Sequence, residues 1–199
     1  MKEEQARDRI IEATIELINE NAGDINKVTA RLIAYHAGIS LGLINYHFGN
    51  KNNLILECTQ KIINQVVMTF DPQIEEDKTK GVEAGRIRLI KTAQQVFDFL
   101  FKNRAISKIS IIGDMQECES DSNTVHTQMG FMYVIGDIIS NENKRLISFL
   151  LTSSMQSAFL AAEVSNGFMG YDLTKEGQRD KFIADTVNTL FYGIVKEND

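Results

Sequence analysis

Residues 29–51, TARLIAYHAGISLGLINYHFGNK, gather most of the side chains in this chain that could meet a nucleic acid. From Ile25 to Leu56 there is no Asp or Glu, whereas Lys27, Arg31, His36, His47 and Lys51 all fall inside that window. Removing acid locally removes repulsion from phosphate oxygens, the first requirement for approaching a duplex. Asn45 can offer an amide to a base edge, and Leu41 and Leu43 stand on the same short helix. Tyr46 and His47 can donate to phosphates. Gly42 lets the backbone come close to DNA, and Lys51, next to Asn50, opens a helix whose free N–H groups favour a phosphate. Thr29, Arg31 and Ser40 complete the candidate contact set. His36 reads as a solvated residue on the outer side of its helix.

Two short helices must hold these groups. One fits residues 30–37 with Thr29 as N-cap and buries Leu32, Ile33 and Ala37. Gly38 breaks it, because the chain needs a left-handed residue there. Ile39 plugs the corner, Ala34 is small where the helices approach, and Ser40 caps a second helix over 41–47. Helix, glycine-containing turn and helix make a helix-turn-helix, whose second helix can lie in a major groove. A helix over 4–21 precedes it, with Ile10, Ala13, Leu17 and Ile18 on one face and Gly23 as its stop. A longer helix follows Asn50, carries Leu54, Cys58, Ile62 and Val66, and ends at Pro72.

The rest of the chain also reads as helix. A polar stretch, 71–81, connects the N-terminal unit to helical segments at 82–103, 105–118, 122–140, 143–166 and 175–196. NGFMGYDLT at 166–174 reads as a loop, with Thr174 as the last N-cap. Small residues in AFLAA at 158–162 allow close helix contact. The chain has 199 residues, of which 43% are hydrophobic and 24% charged, with a single Pro and a net charge of −6. That balance suits an all-α globular protein and excludes a uniformly basic nucleic-acid coat. Apolar runs such as LISFLL at 146–151 are too short to span a membrane. The charged start MKEEQARDR shows no secretory signal, so a soluble, cytoplasmic protein is expected. Cys58 and Cys118 read as packing residues. Three scattered histidines argue against a metal site, and no cofactor is expected. No P-loop, dinucleotide fingerprint, zinc-protease helix or nucleophile elbow is present, so no enzymatic activity is expected.

The segment resembles the DNA-binding domain of the TetR family of bacterial transcriptional regulators. Thr29, Ile33, Ala34, Ala37, Gly38, Ile39, Ser40, Gly42, Ile44, His47, Phe48, Asn50, Lys51 and Leu54 stand at the family's fixed offsets, and the likeness extends over about residues 7–57. It departs at Asn45, where Tyr is common, and at Leu41 and Leu43, which are often polar; the two leucines imply apolar contact with thymine methyl groups or a distinctive operator. The resemblance implies a helix-turn-helix DNA-binding domain at 1–52, a linking helix at about 51–70, and a helical effector-binding and dimerisation domain at 71–199. It implies a homodimer through the last two helices, a double-stranded palindromic operator, and a small-molecule effector that releases a repressor. A pendulum movement of the helix beginning at Lys51 would couple the two. Phe97, Phe101, Met115, Gln116, His126, Met129, Met132, Tyr133, Met155 and Phe159 are candidate lining residues for the effector site. An activator of the same family, or a helical small-molecule-binding protein without DNA binding, are the alternative readings.

Overall fold

The computed structural model describes residues 2–21, 24–67, 81–117 and 119–195. Among the described residues every regular element is helical. The order is α1 (Lys2–Glu20), α2 (Ala30–His36), α3 (Leu41–Phe48), α4 (Lys51–Val67), α5 (Val82–Lys102), α6 (Arg104–Gln116), α7 (Asn123–Ile135), α8 (Asn141–Leu160), a 3-10 turn (Ala162–Val164), α9 (Ser165–Met169) and α10 (Glu176–Ile194). No single helix among the described residues is long and apolar enough to cross a membrane.

The chain forms two compact units, and the first comprises Met1–Asp71 with Asn103–Gly113. In it α1 packs on α2 and α4, and α3 packs on the same two helices. The expected inward face of α1 is buried at Ile10, Ala13, Leu17 and Ile18 and meets a core of Ile33, Ile44, Leu54 and Ile55. Each of the Leu and Ile side chains contributes about 1.5–3 kcal/mol when fully buried. Arg7 fastens three helices at one point. Its guanidinium donates to both carboxylate oxygens of Glu57 at 2.8 Å and lies 5.1 Å over the Phe48 ring. Cys58 is fully buried and donates weakly to the Ile11 carbonyl. Burial, with the Glu57 charge, pushes its thiol up to about 12, which suits the packing role expected of it.

The second unit comprises Pro72–Lys102 and Asp114–Asp199. Here α10 lies on α5 and α8, and α7 lies on α5 and α8. Ile147, Leu151, Met155, Ala158 and Phe159 form the buried face of α8, and Ile183, Val187 and Phe191 that of α10. Gly85 of α5 lets the chain after α7 approach, because a Cβ there would overlap Ile138 and lie 2.8 Å from the Ile135 carbonyl oxygen. Arg179 donates to Asp98 at 2.9 Å and stacks 4.6 Å over Phe101. Burial pushes the Asp98 carboxyl up, but hydrogen bonds from Arg179 and Lys102 outweigh it and hold the group below its ordinary value. Lys144 is buried yet satisfied, donating to Asp137 at 2.7 Å.

Several expected features differ. The helix expected over 122–140 stops at Ile135, where Gly136 takes φ 78°. Its buried face is Phe131, Val134 and Ile135. Val125 and Met132 are half-buried, Met129 is exposed, and Ile139 is buried beyond the helix end. The helix expected over 143–166 begins at Asn141 and ends at Leu160. Part of the expected loop 166–174 is α9, pinned by the buried Ser165, which donates to Ala162 and accepts from Leu173 N–H. Lys175, not Thr174, stands at the N-cap position of α10. Ala158 and Ala162 turn into their own unit's core. Gly23, the stretch 71–80, Pro72 within it, and Cys118 lie outside the described residues, as does the side chain of Val66.

Candidate nucleic-acid interface

The corner between α2 and α3 is built by local rules. Thr29 caps α2 as expected, its hydroxyl accepting from the Leu32 N–H at 3.2 Å. The helix ends with Ala37 N–H donating to Ile33 and Gly38 N–H donating to Tyr35. Gly38 then takes φ 63°, the left-handed conformation expected of it. Ile39 N–H donates back to the Ala34 carbonyl at 3.0 Å, closing the turn, while its side chain is half-buried. Ser40 occupies the N-cap position of α3, but its side chain makes no capping bond there. The expected cap is therefore positional only, and the exposed hydroxyl is left for other partners.

Within α3 the apolar residues divide by face. Ile44 and Phe48 are buried and anchor the helix to its unit. Leu41, Gly42, Asn45 and Tyr46 are exposed, Leu41 at 44% and Tyr46 at 70%. At 100° per residue these four cover one continuous face. Leu43 and His47 are half-buried, and the His47 Nε2 is buried with no hydrogen-bond partner among the described residues. Gly42 is open, with no atom within 4 Å of where a Cβ would stand.

The neighbouring helices supply the cations. Arg31 is exposed on α2. One turn later Tyr35 is 83% exposed on the same face, a large aromatic that the sequence reasoning passed over. Its signal was the spacing of four from Arg31, set against the burial of Ile33 and Ala34. Lys51 is half-buried, and its ammonium donates to the carbonyls of Ile25 at 3.3 Å and Val28 at 3.1 Å. Those bonds hold the approach to α2 against the start of α4. Asn50 caps α4, accepting from the Asn53 N–H at 3.0 Å.

The residues expected to line an effector site fall into two groups. Phe97, Phe101 and Phe159 form a contiguous edge-to-face series, with centroids 5.2 Å and 5.3 Å apart. Met155 is buried and Met132 half-buried. Met115, Gln116, His126, Met129 and Tyr133 are exposed, and His126, Met129 and Tyr133 share one outward face of α7. Among the described residues no cluster of three or more His, Cys, Asp or Glu could hold a metal ion.

A glycine-hinged pair of short helices braced by α1 and α4, joined to a second all-helical unit, defines a helix-turn-helix protein. The family described as bacterial regulatory proteins, tetR family, matches residues 10–58. Among curated proteins, the chain is 36% identical over 76 residues to the HTH-type transcriptional dual regulator CecR of Shigella flexneri, a match covering 38% of this chain and 33% of that protein. It is 28% identical over 102 residues to the HTH-type transcriptional regulator BetI 1 of Chromohalobacter salexigens, covering 51% and 48%. The matched segments thus span a third to a half of those relatives' lengths. The fold is similar to the crystal structure of a TetR transcriptional regulator from Rhodococcus sp. RHA1, with TM-score 0.64, 15% identity, and coverage of 98% of this chain and 100% of that one. Over residues 10–58 the chain is thus similar to the tetR family of bacterial regulatory proteins.

Proposed function

We propose that this protein is a non-catalytic DNA-binding transcriptional regulator, a homodimer that holds a palindromic operator and is released from it by a small-molecule effector. The observation that carries the reading is the face of α3. Leu41, Gly42, Asn45 and Tyr46 are exposed on one face in a region without acid, although the chain as a whole is acidic. Thr29, Arg31, Ser40, Leu43, His47 and Lys51 complete the interface, carried by α2, α3 and the start of α4. Residues 1–52 would bind the DNA, the helix from Lys51 would link, and residues 71–199 would bind the effector and dimerise. A protein acting on an operator works in the cytoplasm of a bacterium.

The outward face of α8 supports the dimer. Leu146, Phe149 and Leu160 are exposed opposite the buried Leu151 and Met155, and the small Ser153 and Ser157 lie between them on that face. Such a stripe lets a second helix approach closely. On α10, Tyr192 is exposed at 74%. A two-fold pair through these helices presents two α3 helices to one duplex, one helical turn or a multiple apart. For the effector, the Phe97, Phe101, Phe159 and Met155 group is the apolar body against which a ligand would pack, and Met132 lies between core and surface. The exposed Met115, Gln116, His126, Met129 and Tyr133 would mark its approach. The ligand acts only through its different affinities for the two states, typically about 1–3 kcal/mol.

The test is an electrophoretic shift or anisotropy titration of the full-length protein on the DNA flanking its own gene. Saturable, salt-sensitive binding to a palindrome is expected, and its absence on every duplex would overturn the proposal. A promoter fusion reads the sign of control. Deleting the gene should raise expression, and a fall would make the protein an activator.

A further inference from the structure

From Leu41 to Phe48 the helix α3 contains no Arg, Lys, Asp or Glu. This absence has a chemical consequence for base reading. A bidentate contact to guanine O6 and N7 calls for a guanidinium or ammonium, and the cytosine amino group calls for a carboxylate. Adenine N6 and N7 call for an amide, and the thymine methyl calls for an apolar side chain. The exposed face of α3 supplies the last two, as Asn45 and Leu41, and beside them carries the hydroxyl of Tyr46, a single donor that cannot make the bidentate guanine contact. His47 is half-buried, with its Nε2 turned away from solvent.

The spacing agrees. Leu41 and Asn45 are four residues apart, about 6 Å along the helix axis, against a rise of about 3.4 Å per base pair. They therefore reach base pairs no more than about two steps apart. Gly42 lies between them with no side chain to hold the helix off the groove. The formal charges stand on the flanking elements, with Arg31 on α2 and Lys51 at the start of α4. Those are positions for phosphates, which fix register and carry no sequence information.

Resting on the DNA-binding reading above, we infer that the two half-sites of the operator have an A·T core, in which Asn45 reads an adenine and Leu41 meets the methyl group of a thymine within two base pairs of it. The flanking cations hold the backbone. Discrimination at these positions comes from one amide and one apolar contact, and guanine or cytosine is disfavoured because the face offers no guanidinium, ammonium or carboxylate to pair with it.

The experiment selects operators for the full-length protein from a random duplex pool, then measures anisotropy on the selected sequence at fixed salt. A·T pairs at both core positions of each half-site are expected. Replacing the contacted thymine by deoxyuridine removes only the methyl and should weaken the wild type several-fold; 7-deazaadenine at the other position removes N7 and should cost about tenfold. Leu41→Ala should abolish the deoxyuridine effect and leave the 7-deazaadenine effect, and Asn45→Ala should do the reverse. Leu41→Met, which keeps an apolar contact, should keep the deoxyuridine effect. Both side chains are exposed, and circular dichroism checks that the variants fold. Selected cores with G·C pairs, or base-analogue losses that persist unchanged in the matching variants, would overturn the inference and leave the regulator reading standing. Absence of saturable binding to any duplex would overturn that reading, and this inference with it.

Discussion

Gly42→Ala separates folding from recognition by moving the two in opposite directions. Gly42 is the second residue of α3, is exposed, and has no atom within 4 Å of an added Cβ. Alanine at an exposed helical glycine gains up to about 1 kcal/mol, with the lower part of that range expected in a first turn. For a chain of this size that corresponds to a rise in Tm of about 1–4 °C. The same methyl extends about 1.5 Å from the backbone. On a helix seated near van der Waals separation, about 3.5–4 Å, it would force the helix away from the base edges or displace the Leu41 and Asn45 side chains from them. A loss of at least about tenfold in operator affinity, or 1.4 kcal/mol, is expected. Thermal denaturation and anisotropy on one preparation at one salt concentration read both quantities. A raised Tm with unchanged affinity would refute the reasoning, because α3 would then not bring this edge against DNA. A lowered Tm would refute its structural half.

Lys51→Met should lower stability by about 1–2 kcal/mol, since the ammonium's bonds to Ile25 and Val28 are charge-assisted but half exposed; its remaining N–H is free for a phosphate, so the slope of log affinity against log salt should also flatten by about 0.9 per site. Stability loss without a change of slope would assign Lys51 to the fold alone. Gly85→Ala should destabilise by about 1–3 kcal/mol despite alanine's better helix propensity, because the new Cβ meets Ile138 and the Ile135 backbone oxygen; a rise in Tm would show that the loop after α7 yields freely. Asp98→Asn leaves the Arg179 guanidinium, 11% exposed, without its carboxylate and should cost about 2 kcal/mol or more at pH 7. The Asp98 carboxyl is held below its ordinary value of 3.8, so its contribution is full above that value and fades as pH falls through the lower folded value. The variant should therefore lose less stability than the wild type on acidification below about pH 4, and parallel pH curves would contradict the pairing.

The helix-turn-helix was legible because its determinants are local. Thr29 lies three residues from the N–H it caps, and Gly38 sits where the chain must turn left-handed. The inward face of α1 followed from helical period alone, since only one face of that helix is apolar. That logic does not settle α7, where both faces carry large apolar residues. Period identifies Met129 and Tyr133 as neighbours, but only packing against α5 and α8 decides that Phe131 and Val134 face inward instead. The second role of Lys51 was hidden for a different reason. Its carbonyl partners lie 26 and 23 residues earlier, in a turn with no sequence signature for accepting an ammonium. Short α9 was obscured by two glycines, while the residue that pins it, Ser165, bonds to a backbone N–H eight residues on.

The absence of formal charge on the reading helix divides the work of binding in a way that matters under osmotic stress. If α2 and α4 hold phosphates as proposed, ionic strength would act on those contacts, which every sequence offers alike. A rise in intracellular potassium would then lower affinity for strong and weak sites by the same factor and leave their ranking untouched. The regulator would loosen its hold on the chromosome under such conditions without mistaking one promoter for another.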